Sequence, residues 1–222
     1  MPVLKCGYMR NPVTLIRFVC LANSVKLGGR CIAGIELDNR NNPRIQSGHP
    51  KWIRPISEME HGEVDINLVS HVNLLDIVEI EITNSPEEAS YQSENAYFNR
   101  NSITRIGNLN MDLLDNLCSQ KLLLFENKGK AVSEAVINDL SYSLMLIKTD
   151  QFKVVLLDSK LRMFFSYERH EYNLPITDPS FIIAYEKNKE LLEDKDYLYL
   201  CISLAVEHNG WHSKLIAGII YL

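Results

Sequence analysis

Residues 197–221 read Tyr197-Leu-Tyr-Leu-Cys-Ile-Ser-Leu-Ala-Val-Glu-His208-Asn209-Gly210-Trp211-His-Ser-Lys-Leu-Ile-Ala-Gly-Ile-Ile-Tyr221. Asn-Gly favours a two-residue type I′ turn, because both central positions need positive φ. With Asn209 and Gly210 in those positions, His208 faces Trp211, and the pairs run Ser203–Ile216, Cys201–Gly218 and Tyr199–Ile220. One face then carries Leu198, Leu200, Ile202 and Leu204 beside Leu215, Ala217, Ile219 and Tyr221. A row of that kind must lie on a core.

Upstream of this hairpin, Thr177-Asp178-Pro179 supplies an N-cap and a first-turn proline for a helix running to about Leu192. Before the helix come β-prone runs at Ser143–Lys148 and Phe152–Leu157, joined by Thr149-Asp150-Gln151, which has the form of a three-residue hairpin loop. A third run, Leu161–Tyr167, continues past a turn into Tyr172–Ile176. Three strands, a helix and two strands is the order of an OB-fold, a small, partly open five-stranded barrel.

The amino-terminal half repeats part of this pattern. Phe18-Val-Cys-Leu-Ala22 leads through a turn to Cys31-Ile-Ala-Gly-Ile35, as Tyr199-Leu-Cys-Ile-Ser203 leads to Leu215-Ile-Ala-Gly-Ile219. Both close on Ile-Ala-Gly-Ile, and a strand glycine marks a bulge or a close backbone approach; a chance match of four small or apolar residues is the alternative. Strands are expected at Leu15–Ala22, Arg30–Leu37, Trp52–Ser57, Leu74–Thr83, Tyr91–Phe98 and Ile103–Ile106, with a polar loop over 38–50. A short helix fits Asn110–Ser119, with Leu113, Leu114 and Leu117 on one face. The chain is therefore expected to be mainly β: an OB-like antiparallel barrel over 13–110, a connecting helix and linker over 111–140, and a second barrel over 141–222. Each barrel carries one short helix, and with no Pro/Gly/Ser linker the two pack together.

The 222 residues carry a formal charge of −5, unevenly spread. Residues 1–57 hold nine Lys or Arg and two acids; no Lys or Arg lies between Pro55 and Asn99, while ten acids run from Glu58 to Glu94. Either a basic binding face is marked, or the two segments fold against each other and neutralise. Five cysteines (Cys6, Cys20, Cys31, Cys118, Cys201), odd in number and without a Cys-x-x-Cys pair, read as reduced core residues of a cytoplasmic protein. No segment approaches the ~18 apolar residues of a membrane span, and the amino terminus lacks an apolar stretch of signal type.

Several motifs bear on chemistry. In Asn23-Ser-Val-Lys26-Leu-Gly-Gly-Arg30, backbone N–H groups and two cations can approach a phosphate, although the spacing is not that of a P-loop and a plain hairpin loop is the favoured reading. Lys51-Trp52-Ile-Arg54-Pro sends Trp52 and Arg54 to one face of a strand. An OB barrel stacks a base on such an aromatic while arginine meets phosphate; the structural alternative is a core tryptophan with Arg54 paired to an acid from 58–94. Gln92, Glu94 and Asn95 either read a base edge or satisfy polar groups at a barrel mouth or between the domains. His208 and His212 fall on a hairpin without a third ligand, so no metal is expected. No cysteine has an evident base, and Asp178 reads as a helix cap, so neither catalytic residues nor a cofactor are expected.

Four stretches carry a resemblance: Cys20-Leu-Ala-Asn-Ser-Val-Lys-Leu-Gly-Gly-Arg-Cys-Ile-Ala-Gly34, Trp52-Ile-Arg-Pro-Ile-Ser57, Tyr91-Gln-Ser-Glu-Asn95, and Thr177-Asp-Pro179 with Lys214-Leu-Ile-Ala-Gly218. Over roughly residues 15–222 the chain resembles a bacterial family of paired OB-fold domains associated with antiphage or other conflict systems. The resemblance implies a nucleic-acid-binding part, and with the motifs above the expectation is a non-enzymatic module that binds single-stranded DNA or RNA, with Lys26, Arg30, Lys51, Trp52, Arg54, Gln92 and Asn95 as the candidate contacts. A second reading is an adaptor that recruits an effector protein through its acidic stretch 58–94. A third is a nucleotide-directed enzyme with Glu94 as general base.

Overall fold

The computed structural model describes residues 14–86 and 91–221; Cys6, two of the nine bases of residues 1–57 (Lys5 and Arg10) and two of the ten acids (Glu87 and Glu88) lie outside them. Strand β1 (Thr14–Lys26) is buried on both faces over Phe18–Ala22, which is why its apolar run is continuous rather than alternating. It turns at Leu27 and Gly28, both at positive φ, into β2 (Gly29–Leu37). A two-residue ladder, β3 (Ile45–Gln46) with β4 (His49–Pro50), sits in the polar loop. Then come β5 (Trp52–Ile56), a single turn α1 (Ile66–Val69) capped by Asp65, β6 (Asp76–Asn84), β7 (Asn95–Phe98) and β8 (Thr104–Asn108). The order β1-β2-β5-β7-β6 closes on itself because β6 also pairs with β1, giving a five-stranded barrel of OB type. Phe18, Cys20, Ile32, Ile53, Val78 and Ile80 fill it. The helix α1 was not expected: one turn is too short to show a helical period.

Between the barrels, the expected helix at Asn110–Ser119 is a 3₁₀ segment, Met111–Leu117, capped by Asn110. Its three-residue period puts Leu114 and Leu117 in the interior with Met111 packed beside them, and leaves Leu113 exposed. The chain continues through β9 (Ala131–Ser133) and the turn α2 (Glu134–Ile137) to β10 (Leu144–Thr149), β11 (Phe152–Leu157), β12 (Lys160–Tyr167) and β13 (His170–Pro175). Helix α3 (Pro179–Lys187) is capped by Asp178, which accepts from the Ser180 and Phe181 amides; it stops at Lys187 rather than near Leu192. Strands β14 (Leu198–His208) and β15 (Trp211–Ile220) complete the chain.

In the carboxy-terminal half, β10-β14-β15-β9 form one sheet and β11-β12-β13 another, joined by a parallel bridge between Ile176 and Ile216. The hairpin expected at Thr149-Asp150-Gln151 is instead a bend. Strands β10 and β11 belong to different sheets, and the chain passes from one to the other as a single bent strand. Thr149 Oγ1 donates to the Ser166 carbonyl at 2.8 Å and the Ser166 amide to Gln151 O at 3.0 Å, pinning the bend to β12. The OB strands here are therefore 144–157, β12, β13, β14 and β15.

The Asn209-Gly210 hairpin pairs His208 with Trp211, Cys201 with Gly218 and Tyr199 with Ile220 as the spacing requires, but Ile216 lies opposite Ile202 rather than Ser203. Two bulges, an extra residue in β14 after Leu204 and one in β15 at Ala217, cancel over the length of the hairpin. Consequently Lys214 and Ile216 turn into the barrel with Ile219, while Ala217 joins Ile220 on the opposite face, correcting the expected row of Leu215 and Ala217. Both faces of β14 are buried: Leu198, Leu200 and Ile202 fill the second barrel, whereas Tyr199 and Cys201 meet the first.

That meeting is a continuous apolar layer. Val19, Leu21, Ala33 and Ile35 from β1 and β2 pack on Leu144, Leu146, Tyr199, Cys201, Ala217 and Ile220 from β10, β14 and β15. The two Ile-Ala-Gly-Ile segments each place glycine opposite a cysteine at a bulge. A Cβ at Gly34 would lie 1.7 Å from Val19 O, and one at Gly218 would lie 2.2 Å from Leu21 O. The first close approach closes a barrel and the second seats one barrel on the other.

Candidate functional site

Strand β5 turns Trp52 and Arg54 toward the second barrel, and this changes what they do. Arg54 is 1% exposed. Its Nη2 lies 3.1 Å from Glu94 Oε1, 2.8 Å from Ser143 Oγ and 3.3 Å from Ser203 Oγ, and Nη1 reaches Asn95 Oδ1 at 3.4 Å. Ser143 donates in turn to Glu94, and Asn95 Nδ2 donates to Gln92 Oε1 at 3.1 Å. Burial, the largest influence, acts to lower the Arg54 pKa, but the Glu94 carboxylate together with Cys31, Tyr91 and Cys201 outweighs it and the guanidinium is held charged. Arg54, Glu94 and Asn95 thus form, with Ser143 and Ser203, a buried polar network between the barrels. The expectation that Arg54 meets phosphate is corrected: no strand of nucleic acid reaches it while the barrels stay together. Glu94, the general base of the third reading, is buried and bonded to Arg54 and Ser143 in the same network.

Trp52 is half-buried against the inter-barrel layer. Lys51 Nζ lies 2.7 Å from Glu36 Oε1. The small cavity beside it, about 160 Å³, includes Arg17, Arg44, Glu36 and Glu79, and the Arg17–Glu79 pair at 2.8 Å cancels more of its charge. Two pairs join the basic and acidic segments, Arg17 with Glu79 and Arg54 with Glu94, while Asp65 and Asp76 of the acidic segment pair with Arg100 and Arg105 beyond it. Glu63 is buried and accepts from the His61 amide.

At the end of the β1–β2 hairpin, Lys26 and Arg30 are less committed. Among the described residues neither makes an ion pair within 4.0 Å, and Arg30 Nε and Nη1 are shielded from solvent without a hydrogen-bond partner. Burial lowers the Lys26 pKa. The hairpin touches the second barrel through the Val25 amide and Thr177 O, 2.9 Å apart.

The second barrel leaves its strands two and three uncovered. Strand β12 alternates strictly: Leu161, Met163, Phe165 and Tyr167 point into the core, while Lys160, Arg162 and Phe164 point out. Phe164 is 43% exposed. Beside it on β11 stands Lys153, its register partner, and Val155 faces Arg162. Arg162 is held by Asn173 of β13, Nε to Oδ1 at 2.7 Å and Nη2 to the carbonyl at 2.6 Å. An aromatic among three cations on the outer face of OB strands is an arrangement that can stack a base and neutralise phosphate. Sequence reasoning missed it, although Lys-x-Arg-x-Phe at period two was a readable signal.

Other reactive groups are structural. Burial raises the thiol pKa values of Cys20 and Cys201 and pushes Cys118 to about 12. Buried His212 lies 3.1 Å from the hydroxyl of Tyr91. Among the described residues no group of three or more His, Cys, Asp or Glu is placed to hold a metal, and no helix is long and apolar enough to cross a membrane.

One closed OB barrel packed on a second, half-open one defines an OB-fold protein of paired domains. The chain belongs to the dual OB-containing domain family, whose model matches residues 16–219. No curated protein matches it. Among solved structures it is similar to a crystal structure of a HINb domain, at 8% identity and a TM-score of 0.40 over 96% of this chain and 98% of that one. It is also similar to a tetrameric HIN2 structure, at 8% identity and a TM-score of 0.33 over 96% and 93%. At these scores the likeness bears on neither fold nor ligand.

Proposed function

We propose that this chain is a non-catalytic module that binds single-stranded nucleic acid on the open face of its second barrel. The observation that carries the reading is the outward row of β12, where Phe164 stands among Lys153, Lys160 and Arg162 on a surface the first barrel leaves free. Lys26 and Arg30, cations without ion pairs at the inter-barrel edge, supply a further backbone contact in this reading. Gln92 and Asn95 belong to the network around Arg54, and Lys51 is paired with Glu36. Service in a bacterial defence or conflict system, in the cytoplasm, is part of the same proposal and is supported by the motif resemblance in the four stretches quoted above. The adaptor reading retains Glu58 and Glu60 as exposed acids, since Glu63 is buried and four others are paired with arginine.

The test is fluorescence anisotropy with labelled single-stranded DNA and RNA 12-mers against duplex of the same sequence. Single strands are expected to bind more tightly. Each phosphate neutralised contributes about −0.7 to the slope of log K against log salt, so three contacts give roughly −2. No retention of either strand at low salt overturns the reading.

A further inference from the structure

The outer face of the second barrel does not end at Arg162. Beyond it lies a cavity of about 420 Å³ whose lining includes Lys128, Lys130, Arg162 and Tyr172, with Asp158 and Glu171 also on its wall. The lysine loop is preformed. Gly129 N donates to Asn127 Oδ1 at 2.5 Å, and beneath the loop the wholly buried Lys214 donates from Nζ to Asn127 O at 2.5 Å while its amide donates to Lys130 O at 2.9 Å. Lys214 also sits 5.3 Å from the centroid of Tyr172. Among the described residues Lys128 and Lys130 make no ion pair, and Arg162 Nη1 has no hydrogen-bond partner after Nε and Nη2 are taken by Asn173.

From Lys130 the chain runs directly into β9, whose last residue, Ser133, lies opposite Trp211 of β15. Three residues of extended chain span about 10 Å. His212 and Lys214 point inward along β15, so Trp211 points out, and it is 52% exposed at the base of the turn between strands four and five. That turn is one of the loops with which OB barrels hold oligonucleotides. Nothing in the core explains an indole left half in solvent beside a cationic loop.

Resting on the functional reading above, we infer that the bound strand runs from Phe164 across the Lys128–Lys130–Arg162 cavity, which takes a backbone phosphate, to Trp211, a second stacking platform. The cations fix phosphate position without reading sequence, and the two carboxylates of the cavity confine the anion to the lysine side. Aromatics at both ends make the surface tolerant of sequence, since every base presents a π-face. Lys214 acts as a positioning residue, fixing the loop from below.

The chain has two tryptophans, Trp52 and Trp211, so in Trp52→Phe the emission comes from Trp211 alone. Titration of this variant with dT12 and rU12 is expected to quench that emission along the same curve that anisotropy gives. Trp211→Ala should weaken binding about 5- to 150-fold, the range of one stacked base, Trp211→Phe should restore most of it, and Lys128→Glu with Lys130→Glu should lower affinity further. If the wild type binds by anisotropy while Trp211 emission is unmoved and Trp211→Ala binds normally, this path is overturned and the functional reading stands. Absence of any binding by the wild type overturns both.

Discussion

The two barrels use the same pair of strands for opposite purposes. In the first, β2 and β5 turn their outer face onto the second barrel, so that Ala33, Ile35 and Trp52 join a buried layer and Arg54 is sealed beneath Ser143 and Ser203. In the second, contact is made through β10, β14 and β15, and strands β12 and β13 stay outside. An aromatic and an arginine at period two occur on both faces, as Trp52 with Arg54 and as Phe164 with Arg162. Residue type therefore does not separate a ligand face from an interface; what covers the strand does.

This contrast is open to attack first at Arg54. Arg54→Ala leaves Glu94 as an uncompensated buried charge, and removing one partner of such a pair costs about 3–5 kcal/mol. Urea denaturation is expected to show that loss, with a smaller one of about 1 kcal/mol for Arg162→Ala, whose hydrogen bonds to Asn173 are only part-buried. Equal effects at the two arginines would erase the distinction. Next in size is Gly218→Ala, which drives a Cβ into the Leu21 carbonyl across the barrel junction. Overpacking of this kind costs about 1–3 kcal/mol. A loss of stability with strand affinity kept separates the junction from the binding face.

Lys214 supplies a pH signature of the second barrel. Burial without a carboxylate partner lowers its pKa from 10.5 to about 7, so the unfolded chain holds the proton more tightly. Folding is therefore penalised fully below pH 7, and the penalty is relieved as pH rises toward 10.5. The stability deficit of the wild type against Lys214→Met should shrink between pH 7 and 9.5, at no more than about 1.4 kcal/mol per pH unit. A pH-independent difference contradicts this burial. Phe164→Ala should weaken strand binding by about 1–3 kcal/mol at nearly unchanged stability, whereas Trp52→Ala should do the reverse.

Much of this architecture was legible in the residues. Asn209-Gly210 placed the last hairpin, the run Leu15–Ala22 showed a strand though not its burial on both faces, and the repeated Ile-Ala-Gly-Ile marked two close backbone approaches. The compensating bulges were not visible, because they leave the ends of the hairpin in register. The bend at Asp150 looked like a turn, since local chemistry does not reveal which sheet a strand joins next. The candidate face was misplaced for a related reason: Trp52 and Arg54 have the right chemistry, but their cover comes from residues more than eighty positions away. Phe164 and Arg162 were passed over because their neighbours Leu161, Met163 and Phe165 read so clearly as core.

Hydrogen–deuterium exchange of the full chain with and without a saturating single-stranded 12-mer tests the central claim most directly. Protection is predicted over β12, the 127–133 segment and the start of β15, with the amides of β2 and β5 unchanged. Protection centred on β2 and β5, or none on β12, would contradict the assignment of ligand face and barrel junction.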